Sequence, residues 1–504
     1  MANLKSLAKE TAIYGLSSIV GRFLNYLLVP LYTAQLAASS GSYGVITEIY
    51  SYVALLLVFL TFGMETTFFR FINKTSDEAE RMRVYSTTLI TVGSVGLFFC
   101  AAILGFLSPI ADVLGYAAHP EFIGMMAVCV AIDAFQCIPF AYLRFRRKPL
   151  KFAALKLLFI VMNIALNLVY FLLLPTLYAD PDWHDAVVHI YRPDFGVGYA
   201  FAINLCCTSL ITLFFFRELT GFRYVFDKQL LRQMLRYAWP ILILGIAGIL
   251  NQTADKIIFP QVVPGQEGKV QLGIYGASVK IAMIMAMITQ AFRYAYEPFV
   301  FSKSQEKDSR DTYASAMKYF IIFTLLAFLL VVGYLDILKR IIAPDYWEGL
   351  RVVPIVMVAE IMMGVYFNLS FWYKLTDRTI WGAIFSGAGC LVLIAINLIF
   401  IPTYGYMACA WAGVAGYGTA MVLSYVVGQR YYPIRYPLKS IAVYIVLAAL
   451  CYAAMLLVQH YCGSGIVSLL ANTVIVAAFV GHILYHDFPL SRLPFIGKYF
   501  HRQT

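Results

Sequence analysis

Charge is scarce in this chain. Of its 504 residues, 13% are Asp, Glu, Lys or Arg and 61% are hydrophobic. A mean hydropathy of +0.76 excludes a soluble protein of several domains, which needs a charged surface to stay in solution. The sequence has no glycine-rich phosphate loop, so ATP hydrolysis by this chain is not expected. Its nine cysteines form no CxxC pair and lie almost wholly inside apolar runs. They read as small buried hydrophobes and support neither disulfides nor a metal site. His482 and His486 stand one turn apart beside Asp487, and Asp180, Asp182, His184, Asp185 and His189 share one stretch. A helix end and a solvated loop explain these two groups better than metal ligation.

Long apolar runs are what the chain has in quantity. About 20 such residues cross the hydrocarbon core of a bilayer, and fourteen runs of that size are present, among them 11–36, 43–69, 151–174, 195–216, 440–460 and 464–485. The first follows Lys5 and Lys9 as a signal peptide would. Its length, with Arg22 and Asn25 inside it, reads instead as a retained helix. The fold class expected is therefore an all-α polytopic membrane protein with fourteen transmembrane helices.

Basic residues outnumber acidic ones, 38 to 27, and their distribution accounts for the excess. If the helices alternate, the side of the N terminus receives Arg70, Lys74, Arg81 and Arg83, then Arg144, Arg146, Arg147, Lys148, Lys151 and Lys156, and later Arg430, Arg435 and Lys439. The other side holds only Arg192, Lys269, Lys339, Arg340 and Arg351. This asymmetry places both termini in the cytoplasm. It reads as topology and contact with anionic lipid headgroups, with no nucleic acid partner.

Sliding the chain by about 230 positions brings its halves into register. "GRFLNYLLVPLYT" then falls on "NQTADKIIFPQVV", so that Asn25 meets Asp255 and Pro30 meets Pro260, while "NLVY" meets "NLIF" and Arg144 meets Lys374. Six helices per unit is an even number, so the repeats are parallel and related by an axis along the membrane normal, with a central cavity between them. The division expected is an N-lobe over 1–228, a C-lobe over 229–436, and two further helices with a cytoplasmic tail over 437–504. Pro30 and Pro260 are candidate hinges in the first helix of each lobe.

Ionisable residues inside apolar runs are expensive and usually line a wet cavity. A guanidinium or ammonium at depth suits an anionic group, which makes Arg22, Asn25, Lys280 and Arg293 the candidate substrate-binding residues. Glu48, Asp133, Asp255 and Glu360 are the candidate ion-coupling or counter-charge residues. Glu65 with Arg70, and Arg293 with Glu297, read first as ion pairs locking the bundle. "SGAG" at Ser386–Gly389 and "GVAGYG" at Gly413–Gly418 read as small-residue faces for close helix packing.

The opening "LAKETAIYGLSSIVGRFLNYLLVPLYT", the "SYGVITEIYSY" heading the second helix, the two six-helix lobes and the extra last pair resemble the multidrug/oligosaccharidyl-lipid/polysaccharide (MOP) exporter superfamily. Within it, the chain is similar to the bacterial polysaccharide flippases of O-antigen type. The resemblance implies a non-enzymatic protein of the bacterial inner membrane that turns an undecaprenyl-pyrophosphate-linked oligosaccharide across the bilayer by alternating access. Arg22 matches the first-helix arginine of that family, which would hold the pyrophosphate. No cofactor is implied beyond coupling to H+ or Na+. The bilayer and the lipid-linked glycan are the partners implied, together with a polysaccharide polymerase and a chain-length regulator. A peptidoglycan-precursor flippase and a drug/cation antiporter of the same superfamily stay open as alternatives. A glycan polymerase or ligase would need a longer outer loop than Pro175–Asp194.

Overall fold

The computed structural model describes residues 26–303, 309–376, 378–463 and 465–487, without the side chains of 294, 295, 297–299, 301–303 and 309. Arg22 and Asn25 lie outside the described residues, as does the Glu297 side chain. The described residues form helices and no strand. Their principal helices are α1 (Leu28–Gln35), α2 (Ser42–Thr61), α3 (Met64–Ile72), α4 (Glu78–Gly105), α5 (Pro120–Phe145), α6 (Pro149–Leu168) and α7 (Gly198–Leu213). The second half adds α8 (Lys228–Val262), α9 (Gln266–Lys303), α10 (Ser309–Gly333), α11 (Val353–Leu369), α12 (Ile380–Tyr404), α13 (Tyr406–Tyr431), α14 (Leu438–Cys462) and α15 (Ile466–His486).

Twelve helical segments among the described residues are long and apolar enough to cross a membrane, and α7 is a shorter apolar helix. The expected all-α membrane architecture is the observed one. Local chemistry sets the helix limits. Asp77 caps α4 by accepting from the Ala79 amide, and Asp227 caps α8 by accepting from Gln229 and Leu230, satisfying amides that would otherwise lack partners. Pro120 and Pro149 open α5 and α6, where a missing N–H costs nothing. Gly63, at φ +66°, separates α2 from α3.

Between apolar helices in lipid, close backbone approach replaces the hydrophobic effect as the source of cohesion. The two small-residue stretches meet each other: a Cβ on Gly389 of α12 would stand 2.6 Å from the Gly416 carbonyl of α13, and one on Gly416 would stand 2.9 Å from the Gly389 carbonyl. Helix α2 packs on both α8 and α9 and thereby joins the first half of the chain to the second, while α14 and α15 pack on each other and on α10. Leu450, Leu470 and Val474 on that last pair point outward and stay exposed, as lipid-facing side chains do.

Candidate functional site

The chain crosses between two ends. One carries the Gly115–Tyr116 loop and the start of α2; the other carries the Arg144–Lys148 loop and the start of α8. At the Tyr116 end, the halves are stitched together. The Tyr346 hydroxyl donates to the Leu36 carbonyl at 2.7 Å, the Ala343 amide donates to Thr33 Oγ1 at 3.2 Å, and Gln266 Nε2 donates to the Ser39 carbonyl at 3.1 Å. Along the seam toward the Arg144 end, α2 and α3 follow α8: Gln261 donates to the Tyr52 hydroxyl at 3.3 Å, and the Arg70 guanidinium lies 4.0 Å over the Tyr237 ring.

Each half encloses a polar cluster. In the first, Asp133 of α5 accepts from Thr208 Oγ1 of α7 at 3.3 Å, and Gln136 donates to the Thr208 carbonyl and to Thr212 Oγ1, both at 2.8 Å. Lys156 lies within electrostatic reach of Asp133, its ammonium 4.1 Å over the Phe140 ring. In the second, Lys256 donates to both oxygens of Asp255 at 2.9 Å, and the Tyr275 hydroxyl donates to the same carboxylate at 2.7 Å. Glu360 and Lys280 both lie within electrostatic reach of Lys256. Neither makes a hydrogen bond or ion pair among the described residues, and both keep partly open surface. A carboxylate and an ammonium in that condition are open to a cation and an anion respectively.

The structure gathers Asp255, Lys280 and Glu360 but sets the other candidates apart. Arg293 stands 13 positions beyond Lys280 on α9, roughly 20 Å along the axis. It lines a separate cleft with Thr289, Phe367 and Asn368, its guanidinium 4.9 Å over the Phe367 ring. Glu48 is fully buried at the Tyr116 end and accepts from the Tyr116 hydroxyl at 2.6 Å. Pro30 is the third residue of α1, and Pro260 is third from the end of α8. Pro260 thus has one short turn beyond it, whereas Pro240 lies deep within the same helix.

Two expectations need correction. Glu65 does not pair with Arg70 one turn along; it forms an ion pair with Arg144 of α5, while Arg70 turns to the Tyr237 face. A guanidinium reaching across helices wins over a residue five positions along the same helix, whose side chain points to another face. Lys156, counted from sequence with the basic residues on the N-terminal side, lies on α6, which begins at Pro149, roughly 10 Å along the helix. Counting the rise from Pro149 would have found it. The bonds that Tyr116 and Tyr275 make to Glu48 and Asp255 had no such signal, because tyrosine is abundant throughout the chain.

No protein-family model and no curated protein sequence matches the chain. Solved structures do. The lipid II flippase MurJ in an inward closed conformation superposes with a TM-score of 0.71 at 12% identity, covering 93% of this chain and 98% of MurJ. An inward-facing multidrug resistance MATE family transporter gives 0.64 at 14% identity, covering 81% of this chain and 93% of its own. An outward-facing one gives 0.54 at 14% identity, covering 84% and 95%. This chain shares the fold of these MurJ and MATE structures. The stitched Tyr116 end and the second-half charge cluster lie within that shared fold.

Proposed function

We propose that the chain is a flippase that carries a pyrophosphate-linked lipid oligosaccharide of O-antigen, capsule or exopolysaccharide type across the bacterial inner membrane. Its two halves would rock about the cavity that lies between them. The observation that carries this reading is the Lys280 ammonium, without a hydrogen-bonding or ion-pairing partner among the described residues and beside a second cation, Lys256. Lys256 is held by Asp255, so the Lys280 ammonium is the cation left to attract an anionic headgroup and to disfavour the cationic drugs that an antiporter would take. The extent of the MurJ match adds to it. The alignment with MurJ covers 93% of the chain, against 81% for the inward-facing MATE transporter, and this greater extent supports a lipid-flippase reading. The same match favours a peptidoglycan precursor as the competing cargo.

In this reading, the Arg144 end and both termini are cytoplasmic, and the conformation is inward-facing, closed at the Tyr116 end. Arg22 and Lys280 take the pyrophosphate, Arg293 takes a more distal part of the glycan, and the lipid tail stays in the bilayer. Lobe boundaries at 228 and 436 follow the repeat. A polymerase and a chain-length regulator then act on the product on the far side.

The test is flipping of fluorescent lipid-linked glycans by the purified full chain in liposomes, with an undecaprenyl-pyrophosphate oligosaccharide and a peptidoglycan precursor as separate cargoes. Oligosaccharide transport, lost in Lys280→Ala and in Arg22→Ala while the protein stays folded, supports the proposal. Transport of the precursor alone would transfer the assignment to the competing cargo.

A further inference from the structure

Tyr116 lies in a loop of the first half and touches two charges that belong to different halves. Its hydroxyl donates to Glu48 Oε2 at 2.6 Å. Its ring is covered by the Lys269 ammonium, 4.4 Å from the centroid. Lys269 also donates to the Gly115 carbonyl at 3.2 Å. Tyr116 is only 4% exposed and Glu48 is 0% exposed, so the bond between them is closed off from water, while Lys269 keeps partly open surface.

Close packing surrounds the row. A Cβ on Gly44 of α2 would stand 1.9 Å from the Lys269 carbonyl, one on Gly273 of α9 would stand 2.9 Å from the Gly44 amide nitrogen, and one on Gly276 would stand 2.4 Å from Thr47 Oγ1. The two helices therefore meet backbone to backbone, a fit that exists only while this end is shut. Glu48 bears the consequence. Its Oε1 is buried without a partner, and a carboxylate oxygen sealed from water in that way works against the closed state. The cation over the Tyr116 ring works for it, since an ammonium on an aromatic face is attracted by the ring quadrupole.

We infer that Glu48, Tyr116 and Lys269 form a balanced latch on the Tyr116 end: Lys269 holds the halves closed through Tyr116, while the half-satisfied Glu48 biases them to part. The inference rests on the alternating-access reading, in which this end must open. Its two charged members act in opposite senses, which a merely structural cluster does not do.

Cross-linking of Ser39→Cys with Gln266→Cys in the full chain, in liposomes without substrate, tests it; exposed Cys206 and Cys462 are first replaced by serine. Lys269→Gln is expected to lower the cross-linking yield roughly two- to fivefold, the equivalent of one surface cation–π contact. Glu48→Gln, neutral and still able to accept from Tyr116, is expected to raise it. Tyr116→Phe is expected to lower it, and adding Glu48→Gln should restore the yield. Lys339→Gln, whose cation is paired with Asp336, should leave it unchanged. A fall or no change in both Lys269→Gln and Glu48→Gln would overturn the latch, provided both proteins keep a normal thermal transition. Because no glycan is present, a failed latch is distinguishable from a failed flipping assay.

Discussion

Asn167 and Asn397 occupy equivalent places in the two halves, both with no exposed surface, yet only Asn167 is hydrogen-bonded. It accepts from the Tyr32 hydroxyl at 2.7 Å and donates to the Asn163 carbonyl at 2.8 Å. In the second half the positions of Tyr32 and Asn163 are taken by Val262 and Leu393. Both polar ends of Asn397 are consequently left without a protein partner.

An unpaired buried amide costs stability, whereas an apolar residue of similar size in its place does not. Asn397→Leu should leave the thermal transition in detergent unchanged or raise it. Asn167→Leu strands the Tyr32 hydroxyl and should cost roughly 1–2 kcal/mol, the upper range for such bonds in membrane proteins. Equal losses in the two variants would contradict the asymmetry.

The Glu65–Arg144 pair joins the start of α3 to the end of α5. Its members are a third to two-fifths exposed, 42% and 32%, so the charge pair itself contributes at most about 1 kcal/mol. The Arg144 guanidinium also lies 5.0 Å over Phe69, so its loss removes more than a charge. Arg144→Ala should destabilise more than Glu65→Gln, and Arg70→Ala should leave the Glu65–Arg144 coupling measured in a double-mutant cycle intact.

The membrane architecture and the close approach of α12 and α13 were legible in the sequence because both depend on local pattern. Apolar run length gives the spans, and only glycine permits the contact of Gly389 with Gly416. That Asp255, Lys280 and Glu360 share the surroundings of Lys256 follows from tertiary packing. Which charges pair was not legible. Asp255 is neutralised by its own neighbour Lys256, and Glu65 by a residue 79 positions away, and neither choice follows from helical spacing. Lys280 and Asp255 carry opposite charges on consecutive helices, but it is Lys256 that pairs with Asp255. Tyr116 was invisible for a related reason: its partners lie 68 positions before it and in the other half of the chain.

At the end of α15, Asp487 accepts from Lys318 and from the Tyr444 hydroxyl, tying α15 to α10 and α14. Burial alone would raise the Asp487 carboxyl; the bonds from Lys318 and Tyr444, with the Lys318 and His486 charges, outweigh it and hold the group below the usual carboxylate range. A depressed folded-state pKa stabilises above the unfolded value of about 3.9, and that contribution is lost as pH falls through the folded value. Between neutral pH and about 5 the attachment should be insensitive to pH, and it should weaken on further acidification. Asp487→Asn should lower the thermal transition at pH 7 and flatten the acid limb of its pH dependence. An unchanged acid limb would place the acid sensitivity elsewhere.

The second-half acids divide by their partners, and this bears on coupling. Asp255 has both oxygens on Lys256 and one on Tyr275, so binding a proton or Na+ there would first break an ion pair. Glu360 has no hydrogen-bonding or ion-pairing partner among the described residues, and it shares with Asp255 the field of Lys256. If transport is coupled to an ion, Glu360 is the better placed of the two to take it. Asp255 is then the counter-charge that keeps Lys256 from repelling the ion. In liposomes with an imposed pH or Na+ gradient, Glu360→Gln should abolish the gradient effect on flipping while leaving substrate-driven exchange. Asp255→Asn frees the Lys256 charge and should change substrate affinity without removing the gradient effect. Loss of gradient dependence in Asp255→Asn with retention in Glu360→Gln would reverse the two roles.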